Sequence, residues 1–203
     1  QDVNLDAEMV VVAAYYDGLG RLPDGTLYPG ANDNASGVAT MLELARALQA
    51  SGFVPRRTIL FVAWSGGERH ESVDFPFFLK AARGFEQSYQ IVAGLELEGV
   101  GAGEGSSMVV WRTSRERLTE VLQKSARQLD APISTHEQGL HADPDMWSAP
   151  APGAPAAVIS WSGSDLAAHT PDDTPERLDP AKLGHVGRVT TLATMVLASD
   201  PAY

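Results

Sequence analysis

Four apolar runs with no polar alternation constrain this chain most. They are "MVVVAA" at 9–14, "TILFVAW" at 58–64, "IVAGLEL" at 91–97 and "AAVISW" at 156–161. A strand with one wet face alternates apolar and polar residues. A continuous run instead reads as a strand buried on both faces, the habit of parallel sheets covered by helices. "SMVVWR" at 107–112 is a fifth candidate strand.

Helical patterns separate the runs. Val38, Met41, Leu42, Ala45 and Leu48 recur at three- and four-residue steps, and Gly52 follows as a stop. Thr113 with Glu116 reads as a capping box ahead of Leu118, Val121 and Leu122. Asp179-Pro180 opens a last helix carrying Leu183, Val186, Val189 and Val196. The Pro/Ala run at 148–157 reads as an extended loop leading into a strand. Strands alternating with helices predict an α/β fold: a three-layer α/β/α sandwich around a mostly parallel mixed sheet. Active sites of such sheets gather at the carboxyl ends of the strands.

Composition narrows the chemistry. The 203 residues, 44% of them hydrophobic, suffice for one domain with a real core. There is no cysteine, so a transition metal would have to be held by His, Asp or Glu. Net charge is −11, and no Lys/Arg cluster interleaves with aromatics, which argues against a nucleic-acid partner. No apolar run reaches the roughly 18–20 residues of a transmembrane helix. The chain opens on Gln1 without an initiator Met or a signal-like segment, as a processed or excised piece does.

Chemistry-bearing residues follow the buried runs. Tyr15 and Asp17 come after the first, Glu68, His70 and Glu71 after the second, Glu98 after the third and His169 after the fourth. Asp33 lies in "YPGANDNASG", between the first run and a helix. Oxygen ligands with imidazole suit zinc or another divalent ion. Each residue also has a plain reading: Asp33 as a helix cap, Glu68 as a strand-end charge, His169 as a turn residue, Glu98 as half of an ion pair, and His70 and Glu71 as surface residues of the next helix.

The stretches "VVVAAYYDG", "GANDNASGVATMLELARAL", "RRTILFVAWSGGE", "IVAGLELEGVG" and "HTPDDTPERLD" resemble, in order, the zinc-dependent aminopeptidase family, which is related to glutaminyl cyclases and the peptidase-like ectodomain of the transferrin receptor. The resemblance implies a single domain over 1–203, lacking the usual first strands of the fold. Peptidases of this kind hold two zinc ions roughly 3.5–4 Å apart. Asp33 falls on the bridging carboxylate, and Glu68 and His169 on the other ligands of one metal. Three positions depart from the pattern. Tyr15 stands where the second metal's His is usual, though Asp17, which normally supports the site from behind, is kept. Glu98 replaces an Asp ligand of that second metal. Gly67 stands where the family has its general-base Glu.

The resemblance therefore implies a degraded centre: at most one zinc, held by Asp33, Glu68 and His169, with Glu98 as a possible second-site ligand. The expected function is a non-catalytic pseudopeptidase or interaction module. Its partner would be a protein or the remainder of a larger chain, and the family favours an extracytoplasmic place. The alternative is a metal-dependent aminopeptidase with a rewired site, in which Glu71 or Glu98 serves as base. A one-zinc glutaminyl cyclase is a further reading. It is opposed by Gly67 and by Ala168, where an aromatic is usual. Met146 aligns loosely with another histidine of the family.

Overall fold

The computed structural model describes residues 5–69, 90–112, 116–136 and 155–203. The five apolar runs all become strands. These are β1 (Glu8–Tyr15), β4 (Thr58–Trp64), β5 (Gln90–Leu97), β6 (Met108–Arg112) and β8 (Ala156–Trp161). A short hairpin, β2 (Gly20–Arg21) with β3 (Leu27–Tyr28), follows β1, and β7 (Ile133–His136) completes the set. The main sheet runs β4-β1-β5-β8-β6-β7. The pairings β4–β1, β1–β5, β5–β8 and β6–β7 are parallel, and β6–β8 is antiparallel. The expected mixed, mostly parallel α/β sheet is present. Because β4, β1, β5 and β8 run the same way, their carboxyl ends share one edge.

Every residue from Val10 to Ala14 is 0% exposed. Alternate side chains of a strand point to opposite faces, so burial of all five means that both faces of the sheet are covered. On one face Val10, Val12 and Ala14 join Leu95, Leu97 and three helices: α1 (Ser36–Ala50), α2 (Glu116–Gln128) and α3 (Pro180–Ser199). On the other, Met9, Val11, Ala13 and Tyr15 pack with Val62 and Trp64.

The ends of the helices follow local chemistry. Gly52 takes φ +69°, the left-handed turn that a side chain disfavours, and its N–H donates to Gln49 O while Phe53 N–H donates to Leu48 O. These two bonds close α1 and satisfy carbonyls the helix leaves open. Asp179 accepts from Ala181 N at 2.8 Å and caps α3, with Pro180 in the first turn. One helical expectation is corrected: Leu42 is 61% exposed, and the core stripe is Met41, Leu44 and Leu48. At 100° per residue Leu42 sits about 200° from Leu44, on the opposite side of the helix. Thr113 of the predicted capping box, and all but the end of the 148–157 run, lie outside the described residues.

Candidate metal centre

The loop from Gly30 to Ser36 sits over the carboxyl edge of the sheet, and its polar residues divide the labour. Asn32, buried, accepts from Gly101 N (2.8 Å) and Ala102 N (2.9 Å) through Oδ1 and donates to Asp165 Oδ2 (2.7 Å). Asn34 donates to Leu97 O (2.8 Å) and accepts from Gly99 N (3.1 Å) and Gly37 N (3.2 Å). From the far side, the buried Asp173 accepts from Asn32 N (2.8 Å) and Asp33 N (3.0 Å). Asp33 is thus not a helix cap: Ala35 is the N-cap residue of α1, without a side-chain cap bond, and Asn34 takes the first-turn N–H of Gly37. The flanking residues consume the loop's hydrogen-bonding capacity, which leaves the Asp33 carboxylate for the site.

Three predicted residues converge. One ligand atom each from Asp33, Glu68 and His169 lie within 4.8 Å of one another. His169 Nε2 stands 2.8 Å from Asp33 Oδ2 and 3.4 Å from Glu68 Oε2. His169 has φ +58°, a left-handed conformation that costs a non-glycine residue about 1–2 kcal/mol. The turn is held around it by Thr170 Oγ1 donating to Ala167 O and by Asp165 accepting from Ala167 N. It carries the imidazole toward the two carboxylates. The turn reading of His169 is therefore true of its backbone only.

Asp17 lies behind Glu68. Its carboxylate accepts from the backbone N–H of Gly67 (3.1 Å) and of Glu68 (3.4 Å), which fixes the turn that aims Glu68. The Glu68 side chain is 5% exposed, and its Oε2 is a buried acceptor without a hydrogen-bond donor. A buried carboxylate oxygen in that condition is costly unless a cation satisfies it. Burial, and then the Asp33 carboxylate, push the Glu68 carboxyl up to about 7, and His169 opposes them. Two carboxylates and an imidazole, one oxygen orphaned, suit a divalent ion such as zinc.

The remaining positions complete the picture. Tyr15 is 5% exposed and donates its hydroxyl to Asp33 Oδ1, on the opposite oxygen from His169. Burial, then the charges of Glu98 and Asp33, raise the phenol far above its ordinary range, so it stays a neutral donor. Glu98 is outside the three-residue cluster, and no ion pair among the described residues involves it. Burial, then Glu96 and Asp33, hold the Glu98 carboxyl well above the usual range. Gly67 follows the end of β4, with the Tyr15 ring against it. His70, Glu71 and Met146 lie outside the described residues. Sequence patterning alone does not single out Asn32, Asn34, Asp165 or Asp173. The one available signal is the pair of Asn residues flanking Asp33 just ahead of the helix.

Comparisons with known proteins agree with this architecture. The probable leucine aminopeptidase of Trichophyton verrucosum is 31% identical over 191 residues, covering 87% of this chain and 50% of that protein. Transferrin receptor protein 2 of Homo sapiens is 29% identical over 206 residues, covering 89% of this chain and 24% of that one. The chain spans about half the length of the leucine aminopeptidase it matches. Among solved structures, the LapA aminopeptidase of Legionella pneumophila superposes with TM-score 0.81 at 22% identity, over 97% of this chain and 53% of that one. BSAP, a zinc aminopeptidase from Bacillus subtilis, gives TM-score 0.78 at 22% identity, over 95% and 47%. At that identity the superpositions speak for the fold. The sequence model of peptidase family M28 matches residues 2–194, nearly the whole chain, and the protein belongs to that family.

Proposed function

We propose that this domain holds one zinc ion between Asp33, Glu68 and His169 and has lost peptide hydrolysis, acting as a binding module within a larger protein. The observation that carries the reading is at residue 67: glycine offers no proton acceptor, and the Tyr15 ring fills the space a side chain there would need. A zinc ion held by the three residues would supply Lewis acidity. Asp33 and His169 would present the ligand atoms, Glu68 would satisfy its orphaned oxygen, and Asp17 would hold the Glu68 turn in place. Hydrolysis also needs a positioned base, whose loss costs about 10²–10⁴ in rate. Glu98 is a poor substitute, because it lies outside the three-residue cluster that would hold the ion.

The likeness to a protein named as a receptor, Transferrin receptor protein 2, supports the module reading and an extracytoplasmic setting. No helix among the described residues is long and apolar enough to cross a membrane. The competing reading is a metal-dependent aminopeptidase, favoured by the three-residue cluster and the leucine aminopeptidase relatives.

The deciding experiment pairs calorimetric zinc titration of metal-stripped protein with turnover of aminoacyl-nitroanilides in zinc, manganese or cobalt. One site, lost in Asp33→Ala, with no turnover is expected. Robust metal-dependent turnover abolished by Asp33→Ala would establish the aminopeptidase instead.

A further inference from the structure

Tyr15 and Gly67 depart from the family pattern separately in the sequence, but in space they are one feature. A Cβ added to Gly67 would lie 2.6 and 2.7 Å from the two Cδ atoms of the Tyr15 ring, and closer still to Cγ. Real Cβ atoms essentially never approach so near. Gly67 is not among the glycines with positive φ, so its backbone does not itself demand glycine. The demand comes from the ring. The contact is at the root of the ring and not at its tip, so a small swing of the phenol does not relieve it. The ring is also held at both ends: Trp64 meets it edge-on at 5.6 Å between centroids, and its hydroxyl is on Asp33 Oδ1.

The placement of that hydroxyl matters as much as the ring. Asp33 uses Oδ2 toward His169 and Oδ1 toward Tyr15. The Glu98 charge raises the Tyr15 phenol, and Asp33 and Glu68 in turn raise the Glu98 carboxyl. A donor is therefore buried among carboxylates, on the side of Asp33 away from His169. Such a place ordinarily calls for positive charge.

We infer that Tyr15 is a built-in plug: its phenol occupies the place of a cation beside Asp33 Oδ1, on the side away from His169, and residue 67 is glycine to make room for the ring. The site is limited to one ion by the protein's own side chain, and loss of a side chain at 67 is the steric counterpart of that limit. Reinstating an acid at 67 alone then fails, because the ring already holds the space.

This rests on the one-ion reading above, and the test separates the two. Zinc stoichiometry is measured by calorimetry on metal-stripped wild type, Tyr15→His and Tyr15→Ala. The expected values are one ion for wild type and two for Tyr15→His. Tyr15→Ala opens the same space and serves if Tyr15→His does not fold. In parallel, thermal midpoints are compared for Gly67→Ala in the wild-type and Tyr15→Ala backgrounds. The substitution is expected to lower the midpoint of wild type and to leave that of Tyr15→Ala unchanged or higher. One ion in wild type and still one in both opened variants overturns the plug. An equal effect of Gly67→Ala in the two backgrounds overturns the steric coupling. No ion in wild type defeats the one-ion reading and the ion limit built on it, while the midpoints still decide the coupling.

Discussion

Glu68 shows how much of this site is settled by the surroundings of a single side chain. It is nearly enclosed, one oxygen lacks a donor, and Asp33 stands beside it. Its folded-state carboxyl is raised from 4.5 to about 7, by burial first and the Asp33 charge next. In metal-stripped protein the folded state therefore keeps a proton that the unfolded chain releases above about 4.5. This contribution to stability is full below that pH and is lost as pH rises through about 7. Thermal midpoints of EDTA-treated protein should fall between pH 5 and pH 8, and Glu68→Gln, which cannot ionise, should show a smaller fall. Parallel pH profiles for the two proteins would count against this account of Glu68. Tyr15 makes the complementary point: its burial keeps it a neutral hydrogen-bond donor rather than a phenolate ligand.

At the scale of elements, the α3 helix shows how local chemistry places a long segment. Asp179 accepts from Ala181 N, and Pro180 follows in the first turn, where the lack of an N–H costs nothing. The Asp179 N–H donates to Gly101 O at 2.9 Å, so the cap also ties α3 to the loop that Asn32 grips. Asp179→Ala should destabilise the domain by about 1 kcal/mol in urea unfolding, the usual worth of such a cap. No measurable change would mean that Pro180 and packing alone fix the helix start. The α1 helix has no side-chain cap at its N-terminus. Its entry is fixed by tertiary bonds of Asn32, Asn34 and Ser36 to the loop after β5. The elements that carry the site are thus pinned to each other directly, which keeps Asp33 at a set height above the sheet edge.

Across the whole molecule, the end opposite the site is closed by one buried cation. Arg57, 3% exposed, donates to Glu8 Oε2 and to the carbonyls of Leu197 (2.8 Å) and Asp200 (2.7 Å). It therefore joins the start of β1, the lead into β4 and the end of α3. Arg57→Ala leaves a partly buried carboxylate and two carbonyls without their donor, and should cost about 3 kcal/mol in urea unfolding. Any zinc binding by the remaining folded fraction should be unchanged, since Asp33, Glu68 and His169 lie at the other edge. A loss below about 1 kcal/mol would show that water replaces the guanidinium there.

Some of this is legible in the sequence alone. The doubly buried strands announce themselves as unbroken apolar runs, because a strand covered on both faces has no polar side to display. Helix ends at Gly52 and Asp179 are local chemistry, carried by a few adjacent residues. Asp33, Glu68 and His169 were found because each follows a strand and sits in a family signature. The sequence by itself therefore determined the buried strands, the helix ends at Gly52 and Asp179, the family and the three residues that converge at the candidate site. The tertiary structure alone decided which side of α1 is buried, where Leu44 displaces Leu42, since that depends on where the sheet lies. It alone showed Asn32 and Asn34 as the clamps that free Asp33, because their partners come from distant loops. It also decided that Tyr15 and Gly67 are one event. Their relation is a clash between a ring and an absent atom, and such a clash exists only once β1 and β4 lie side by side.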